Sequence, residues 1–271
     1  MSTRICKIAL LSAALAACTG GCAPPQPVAL ELDGVAPAVT YDDLAFVLDK
    51  AVTDDGLLLP ELLCRHIERL DAQLARLAVT GPTATPELFV GEEDELAYWY
   101  NARAAWSMKL AALCDCPKEM ARCELTNRSF PLDGRSMTLS AIDELLAARD
   151  DWRVLVSSPG VTLIRNRLPE RPYGPEDIHE RIAEGISALV DDPRRFEVDI
   201  AQRRIRVPPV LWQYRRRLIA EHNRVYGARG ANLTTALLPY VTGSAHRRLQ
   251  DAVGYHATPA RPSLLTAVLE R

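Results

Sequence analysis

The amino-acid sequence predicts a mainly α-helical domain with small β-hairpins, an α+β class, which follows an export signal and a tether. Apolar residues recur at helical spacing in several long segments. Two pairs of short segments read as strands around a turn. The chain has 271 residues, of which 48% are hydrophobic and 25% charged, as in ordinary globular proteins. This composition excludes a polytopic membrane protein, a collagen-like chain and a wholly disordered chain.

The first residues predict export. Arg4 and Lys7 precede an uncharged run at residues 8–17. Ten residues of helix rise only about 15 Å, half a bilayer, so the run is typical of a signal peptide and not of a permanent span. It ends in Leu15-Ala16-Ala17-Cys18, which resembles the lipobox of bacterial lipoproteins. We predict cleavage of residues 1–17 and lipidation of Cys18, with Cys22 as the backup site. The alternative is an ordinary secretory signal in which the cysteine is incidental.

The expected mature protein is therefore anchored to a membrane. Residues 18–39 contain four prolines and little periodicity, which indicates a lipidated tether. Residues 40–271 form a single helical domain in this prediction. The expected location is the bacterial cell envelope, on the periplasmic or extracellular face. The expected partners are membrane lipid, bound through the acylated N-terminus, and an envelope protein or polysaccharide.

Charge is distributed unevenly along the chain. The net charge is −3, and loss of Arg4 and Lys7 makes it −5. Residues 194–271 nevertheless carry 14 basic and 5 acidic side chains. This basic third predicts contact with anionic lipid or polysaccharide, or else packing against the acidic first third or a simply mixed surface, and the second interpretation is favoured. Nucleic acid is not an expected partner, because the protein is exported and negatively charged overall.

The first half of the domain predicts three helices and a hairpin. Thr40 is a possible N-cap for the first helix, and Pro60 suits the first turn of the second. The third begins in the acidic run Glu92-Glu93-Asp94-Glu95 and is apolar on two faces up to Leu113, so it is expected at the centre of the fold. A hairpin is predicted around Asp133-Gly134.

The second half continues with short elements. Ser140 and Asp143 resemble a capping box that opens a helix, and residues 152–156 read as a strand. A helix is expected from Pro175, a second hairpin from two alternating segments, and a long helix from Pro209. Two shorter helices follow. The predicted ranges are 196–200 and 204–207 for the hairpin strands, and 234–240 and 244–253 for the last helices.

No catalytic or cofactor motif is recognisable in the sequence. The histidines lack metal-ligand spacing, and the signatures of a nucleophile elbow, a dinucleotide site and a P-loop are missing. We predict neither a metal nor a cofactor. The acidic run at 92–95 either supplies paired carboxylates or starts a solvated helix, and the second interpretation is favoured.

Cysteine usage fits an oxidising compartment. Cys114, Cys116 and Cys123 form a possible disulfide cluster, with free thiols and a zinc site as the alternatives. Cys64 lies beside an apolar stripe and is expected to be a buried small hydrophobe.

The segment Glu95-Leu96-Ala97-Tyr98-Trp99-Tyr100-Asn101-Ala102 resembles a helix motif of the family known as domain of unknown function 547. Residues 133–143, 151–154 and 196–215 follow the family's later features in the same order. The resemblance covers residues 41–255. Family members carry a histidine and a Cys-Gly-x-x-Ser-Cys-Pro segment where this chain has Arg153-Val154-Leu155-Val156-Ser157-Ser158-Pro159-Gly160. A cysteine–histidine pair, if the family uses one, is absent here.

These observations lead to two functional hypotheses. The first is a non-catalytic binding or structural module on a lipid anchor. The alternative is a degenerate or rebuilt hydrolase or acyl-transfer enzyme, with a pocket formed by Glu95, Asn101, Ser157 and Ser158. Asn101 is expected to be a buried amide that ties neighbouring backbone together, in preference to a catalytic group.

Overall fold

The computed structural model describes residues 25–116, 127–260 and 267 of the chain. It is about 51% helical and contains two small sheets, which confirms the mainly α, α+β class. The helices are α1 (Asp42–Ala51), α2 (Pro60–Arg65), α3 (Ile67–Val79), α4 (Glu92–Leu113), α5 (Leu139–Ala147), α6 (Trp152–Val156), α7 (Ile178–Asp191), α8 (Pro209–Gln213), α9 (Arg215–Tyr226), α10 (Leu233–Leu237) and α11 (Gly243–Asp251). The strands are β1 (Phe130–Leu132), β2 (Arg135–Met137), β3 (Glu197–Asp199), β4 (Arg204–Val207) and β5 (His256–Pro259).

Helix α4 is the centre of the fold, as predicted. Every residue from Leu96 to Ala112 is buried, and α3, α5 and α7 pack against the helix. Its start is fixed by Asp94, whose side chain accepts a hydrogen bond from Gly91 N at 3.0 Å. Four acidic residues occupy the first turn, where the positive end of the helix dipole favours them. The acidic run is thus a helix start.

The first hairpin forms where the sequence predicts it. β1 and β2 pair antiparallel, and both turn residues, Asp133 and Gly134, adopt positive φ angles of 55° and 71°. This combination is that of the two-residue turn that matches strand twist. The Asp133 carboxylate also accepts hydrogen bonds from Thr83 N and Ala84 N at 2.8 and 2.9 Å, so the turn is fastened to the loop after α3.

The second sheet has one strand more than the sequence indicates. β3 and β4 form the predicted antiparallel hairpin, and β5 joins β4 in parallel. The four-residue strand β5 is too short to show the alternation of apolar and polar residues that predicts a strand from sequence. Its strand state depends on the free edge of β4, which is about 50 residues earlier in the chain.

The predicted strand at residues 152–156 is wrong, because this segment is helix α6. Asp151 caps it by accepting a hydrogen bond from Arg153 N at 2.9 Å, and burial against the core overrides the strand propensity of its valines. The helix expected from Pro175 begins at Ile178. The long helix expected from Pro209 is divided at Tyr214 into α8 and α9.

Two predicted caps are replaced by neighbouring residues. The N-cap of α5 is Thr138, whose hydroxyl accepts from Ala141 N, in place of Ser140. The N-cap of α1 is Tyr41, and the Thr40 hydroxyl bonds the Asp42 carboxylate instead.

Part of the predicted tether packs against the domain. Val28 is buried, and its N–H donates to Ser129 O at 2.8 Å. Ala38 N donates to the Thr80 hydroxyl at 3.0 Å. Cys18 and Cys22 lie outside the described residues. Within residues 25–116, 127–260 and 267, no helix is both long and apolar enough to span a bilayer.

Candidate functional site

The two serines of the predicted pocket lie in the turn that follows α6. Ser157 is 1% exposed and Ser158 is fully buried. The Ser158 hydroxyl donates to Leu155 O at 2.7 Å, and the Ser157 hydroxyl lies 2.8 Å from Arg153 O. A serine whose proton is given to a backbone carbonyl has no base to activate it as a nucleophile. Both hydroxyls therefore have a structural use.

Tyr100 joins this turn to the central helix. Its hydroxyl lies 2.8 Å from the Ser157 hydroxyl and also bonds Val154 O. The hydroxyls of Tyr100 and Ser157 therefore take part in three contacts, one with each other and one each with Val154 O and Arg153 O, and have two protons to share among them. Burial raises the pKa of Tyr100 well above its ordinary value, although the hydrogen bond with Ser157 opposes the rise. The phenol is neutral at physiological pH and positions α6 against α4.

Asn101 is fully buried and both ends of its amide are used. Its Nδ2 donates to Tyr173 O at 2.8 Å, and its Oδ1 accepts from Tyr173 N at the same distance. The Tyr173 ring in turn makes an edge contact with Tyr100, with centroids 4.9 Å apart. The amide therefore ties the segment before α7 to the central helix, which is the role that the sequence predicts for it.

Glu95 is in a different environment from the other three candidates. It forms an ion pair of 2.7 Å with Arg149, and Glu92 pairs with the same guanidinium at 2.8 Å. Asn101, Ser157 and Ser158 instead belong to neighbouring buried segments of α4 and the turn after α6. The structure thus buries three of the four predicted pocket residues and gives Asn101 and the serines different hydrogen-bond partners, while Glu95 forms a separate ion pair.

The histidines that the structure describes have other neighbours than these serines. His66 packs on the Phe46 ring, and His222 packs on the Tyr226 ring. His179 is exposed and lies 3.4 Å from Glu93. In the part of the chain that the structure describes, no hydrogen bond joins an imidazole to Ser157 or Ser158.

A buried charge network fixes the same turn from its other side. Arg103 is 3% exposed; its Nε donates to Asp143 Oδ1 at 2.7 Å and its Nη1 bonds Pro159 O. Arg165 bonds the other oxygen of Asp143. Burial, and then the neighbouring Arg103, lower the pKa of Arg165 to about 10, so the Arg165 guanidinium stays charged at neutral pH. Arg103 interrupts a run of buried apolar residues, a signal in the sequence that an acidic partner is needed.

An open space lies along helix α7. Two cavities, of about 330 and 600 Å³, share the lining residues Asn166, Arg167, Glu184 and Ala188. We call this space the α7 cleft. The Asn166 amide holds its wall together by donating to Ser157 O and Gly185 O at 3.2 and 3.1 Å. The cleft is therefore on the outer side of the loop whose inner side carries the buried serines.

Two arginines make the α7 cleft a possible binding site. Arg167 is exposed, lines both cavities and forms no ion pair with any residue that the structure describes. Arg195 lines the larger cavity and is 3% exposed; it donates through Nε to Arg165 O and pairs through Nη1 with Asp192. Its Nη2 is buried and has no partner in the described part of the chain. No pattern in the sequence marks either residue, since one arginine among many carries no signal.

The predicted cysteine cluster is described in part. Cys123 lies outside the described residues, and Cys64, Cys114 and Cys116 carry no disulfide bond to one another. Burial, followed by the neighbouring Cys64, Asp115 and Cys114, raises the pKa of the Cys116 thiol to about 12. The pairing of Cys114 or Cys116 with Cys123 stays a prediction. Among the residues described, no group of three or more histidine, cysteine or acidic side chains is arranged to hold a metal ion.

Comparison with protein-family models, curated proteins and solved structures finds no match to this chain. The resemblance to the domain of unknown function 547 family therefore stays a prediction that is carried by the residues quoted above.

Proposed function

We propose that this chain is a lipid-anchored protein of the bacterial cell envelope and acts as a non-catalytic binding module, with the α7 cleft as its ligand site. The observation that carries the proposal is the contrast between two faces of one loop. On the inner face, the hydroxyls of Ser157 and Ser158 are buried and hydrogen-bonded to backbone carbonyls. On the outer face, the exposed Arg167 lines two open cavities without an acidic partner in the described chain.

The anchor is supported by the order of features at the N-terminus. A basic start, an uncharged run and the small residues before Cys18 follow one another as in a lipoprotein signal. The chain contacts the domain from Val28 on. The ten residue-to-residue steps from Cys18 to Val28 span at most about 35 Å when extended, so an acylated Cys18 would keep the domain close to its membrane.

The polar lining of the α7 cleft suits a ligand that is rich in hydroxyl groups and carries carboxylates. Glu184 lines both cavities, and Asp55, Glu170 and Glu180 each line one of them, so acceptors for hydroxyl protons are abundant. Arg167 supplies a cation with planar donors that match a carboxylate. A ligand with anionic groups alone would be repelled by the acidic side chains. We therefore assign the cleft to an acidic polysaccharide of the envelope.

Binding is tested by isothermal titration of the purified protein with tetragalacturonate, and with its methyl ester as the uncharged control. We expect the acid to bind and the ester to bind more weakly. Arg167→Gln is expected to weaken binding about tenfold, the size of one charge-assisted hydrogen bond. Arg247→Gln removes an exposed arginine that does not line the cleft and is expected to change nothing. Equal affinity for acid and ester, or no effect of Arg167→Gln, would contradict the assignment.

The anchor is tested separately by fractionation and mass spectrometry. The wild-type chain is expected in the membrane fraction, with an N-terminal peptide that starts at an acylated Cys18. The Cys18→Ala variant is expected to keep its leader and to lack the acyl mass. An unacylated wild-type protein would refute the anchor while leaving the binding proposal intact.

A further inference from the structure

Helix α9 (Arg215–Tyr226) is held to the domain by few residues. Leu218 is its one buried side chain, and Trp212 and Tyr214 before it are half-buried. The positions that face outward include Arg216, Arg217 and Arg224, all exposed. Spacings of seven and eight residues bring Arg216 and Arg217 onto the same side of the helix as Arg224. One face of α9 is therefore a stripe of arginines, which we call the α9 basic face.

The charges of the α9 basic face are not neutralised within the described chain. Arg216 and Arg224 form no side-chain hydrogen bond or ion pair with a described residue. Arg217 bonds the backbone carbonyl of Asp150, which carries no net charge. The one acid of the helix, Glu221, is half-buried and interacts with Tyr240 near Arg153, on α6. The positive charge of this face is thus available to a partner.

Other arginines of residues 194–271 form ion pairs or hydrogen bonds within the domain. These arginines are therefore not available to a partner. Arg194, Arg204 and Arg206 each face an acid. Arg248 bonds the carbonyls of Asp191 and Phe196. Arg203, Arg229 and Arg247 also lack an ion pair within the described chain but lie apart from one another in the sequence, whereas Arg216, Arg217 and Arg224 share one helix.

The position of these arginines is unfavourable for the helix itself. Arg216 and Arg217, together with the neighbouring Arg215, occupy the first turn, which has no acidic residue and no side-chain cap. Positive charges at the N-terminus of a helix oppose its dipole and weaken the helix. The same end attracts anions, so the stripe becomes favourable when anionic groups lie against it.

The end of α9 adds apolar side chains that stand in solvent. Val225 is 56% exposed and Tyr226 is 60% exposed, directly after Arg224. Gly227, with φ of 60°, ends the helix. Arginine stripes beside exposed aromatic and aliphatic side chains are typical of surfaces that lie on an anionic membrane.

We propose that the α9 basic face binds the anionic phospholipid headgroups of the membrane that carries the anchor. The proposal rests on the proposed function for the presence of that membrane, and on the charges of α9 for the contact itself. The choice of lipid follows from the combination of unpaired cations with exposed apolar side chains, which a soluble anion does not need. Arg216, Arg217 and Arg224 bind headgroup phosphates, and Val225 and Tyr226 reach the interface.

The test is co-sedimentation of the full chain, with Cys18→Ala and Cys22→Ala so that no acyl chain contributes, on phosphatidylcholine vesicles with and without phosphatidylglycerol. We expect the anionic vesicles to bind about tenfold more protein at low salt, and the excess to disappear at about 0.5 M NaCl. Replacing Arg216, Arg217 and Arg224 by Gln is expected to remove the excess. The matched control replaces Arg194, Arg204 and Arg206 by Gln, which changes the net charge by the same amount. This control variant is expected to keep the excess binding to anionic vesicles.

Several outcomes would overturn the proposal. The first is equal binding to neutral and anionic vesicles. The second is an equal loss of vesicle binding in the two triple variants. The third is binding of the protein to soluble heparin through the α9 arginines without binding to anionic vesicles. Thermal unfolding of the α9 variant controls for folding, and its melting temperature is expected to equal or exceed that of the parent, because charges opposing the dipole are removed. The assay uses no acylated protein, so its failure is distinct from failure of the anchor.

Discussion

Asn101 holds the backbone of Tyr173 with both ends of its amide, through two hydrogen bonds of 2.8 Å. The two residues are 72 positions apart in the chain, and the pair joins helix α4 to the segment that leads into α7. The wall of the α7 cleft therefore depends on a residue in the middle of the central helix.

Truncation of this amide should be costly. Asn101→Ala removes both hydrogen bonds and leaves the N–H and C=O of Tyr173 unpaired in a buried place. We expect the free energy of unfolding to fall by about 1–3 kcal/mol. Urea denaturation measures it, with Gln213→Ala, an exposed amide at the end of α8, as the control that is expected to change little. An unchanged midpoint in Asn101→Ala would mean that the clamp contributes nothing.

Breaking the buried charge network should destabilise the protein more strongly. Asp143→Asn leaves Arg103, which is 3% exposed, and Arg165 without their shared carboxylate. Removal of one member of a buried pair typically costs about 3–5 kcal/mol. The comparison variant is Asp199→Asn, whose pairing with Arg204 is 3.8 Å long and partly exposed, and about 0.5 kcal/mol is expected there. Similar losses in the two variants would contradict the role given to the network.

The serines should behave as structural residues. Ser157→Ala and Ser158→Ala each remove a hydroxyl that donates to a backbone carbonyl, and we expect each to cost about 1 kcal/mol of stability. Affinity for tetragalacturonate should stay unchanged, because the hydroxyls are buried on the inner side of the loop. Denaturation and titration of the same samples separate the two effects. Hydrolysis of a peptide or ester by the wild-type protein that is lost in Ser158→Ala would refute the non-catalytic proposal.

Asp192 should make stability depend on acid pH. Burial opposes its ionisation, but the adjacent Arg194 and Arg195 outweigh burial and hold the pKa of Asp192 below its ordinary value of 3.8. The stabilisation is therefore complete above the ordinary value and is lost as pH falls through the lower value of the folded state.

The measurement is the free energy of unfolding between neutral pH and about pH 2.5 for wild type and Asp192→Asn. We expect the wild type to be more stable at neutral pH and the difference to shrink below pH 3.8. Asp54→Asn, at an exposed position, should follow the wild-type curve throughout. A difference between wild type and Asp192→Asn that does not vary with pH would rule out the linkage.

Local patterns were sufficient where the deciding interactions are close in the chain. The hairpin at Asp133 and Gly134 follows from turn geometry, and the start of α4 follows from its acidic first turn. The local pattern was misleading at residues 152–156, where two valines suggested a strand. The Asp151 cap and burial instead produce helix α6. No local pattern predicted β5, because this strand forms by pairing with β4, which is distant in the chain.

The sequence by itself determined the helical class, the central position of α4 and the two hairpins, because periodicity, turn residues and capping act over a few neighbouring positions. Tertiary structure decided which groups remain available for binding. Tyr100 meets Ser157 across 57 positions, and Arg103 meets Asp143 across 40. Only such distant contacts show that the serine hydroxyls are already hydrogen-bonded, while Arg167 and the α9 arginines stay without acidic partners in the described chain. Hydrogen bonding and charge neutralisation depend on which side chains meet in space, and local spacing in the chain carries no record of that.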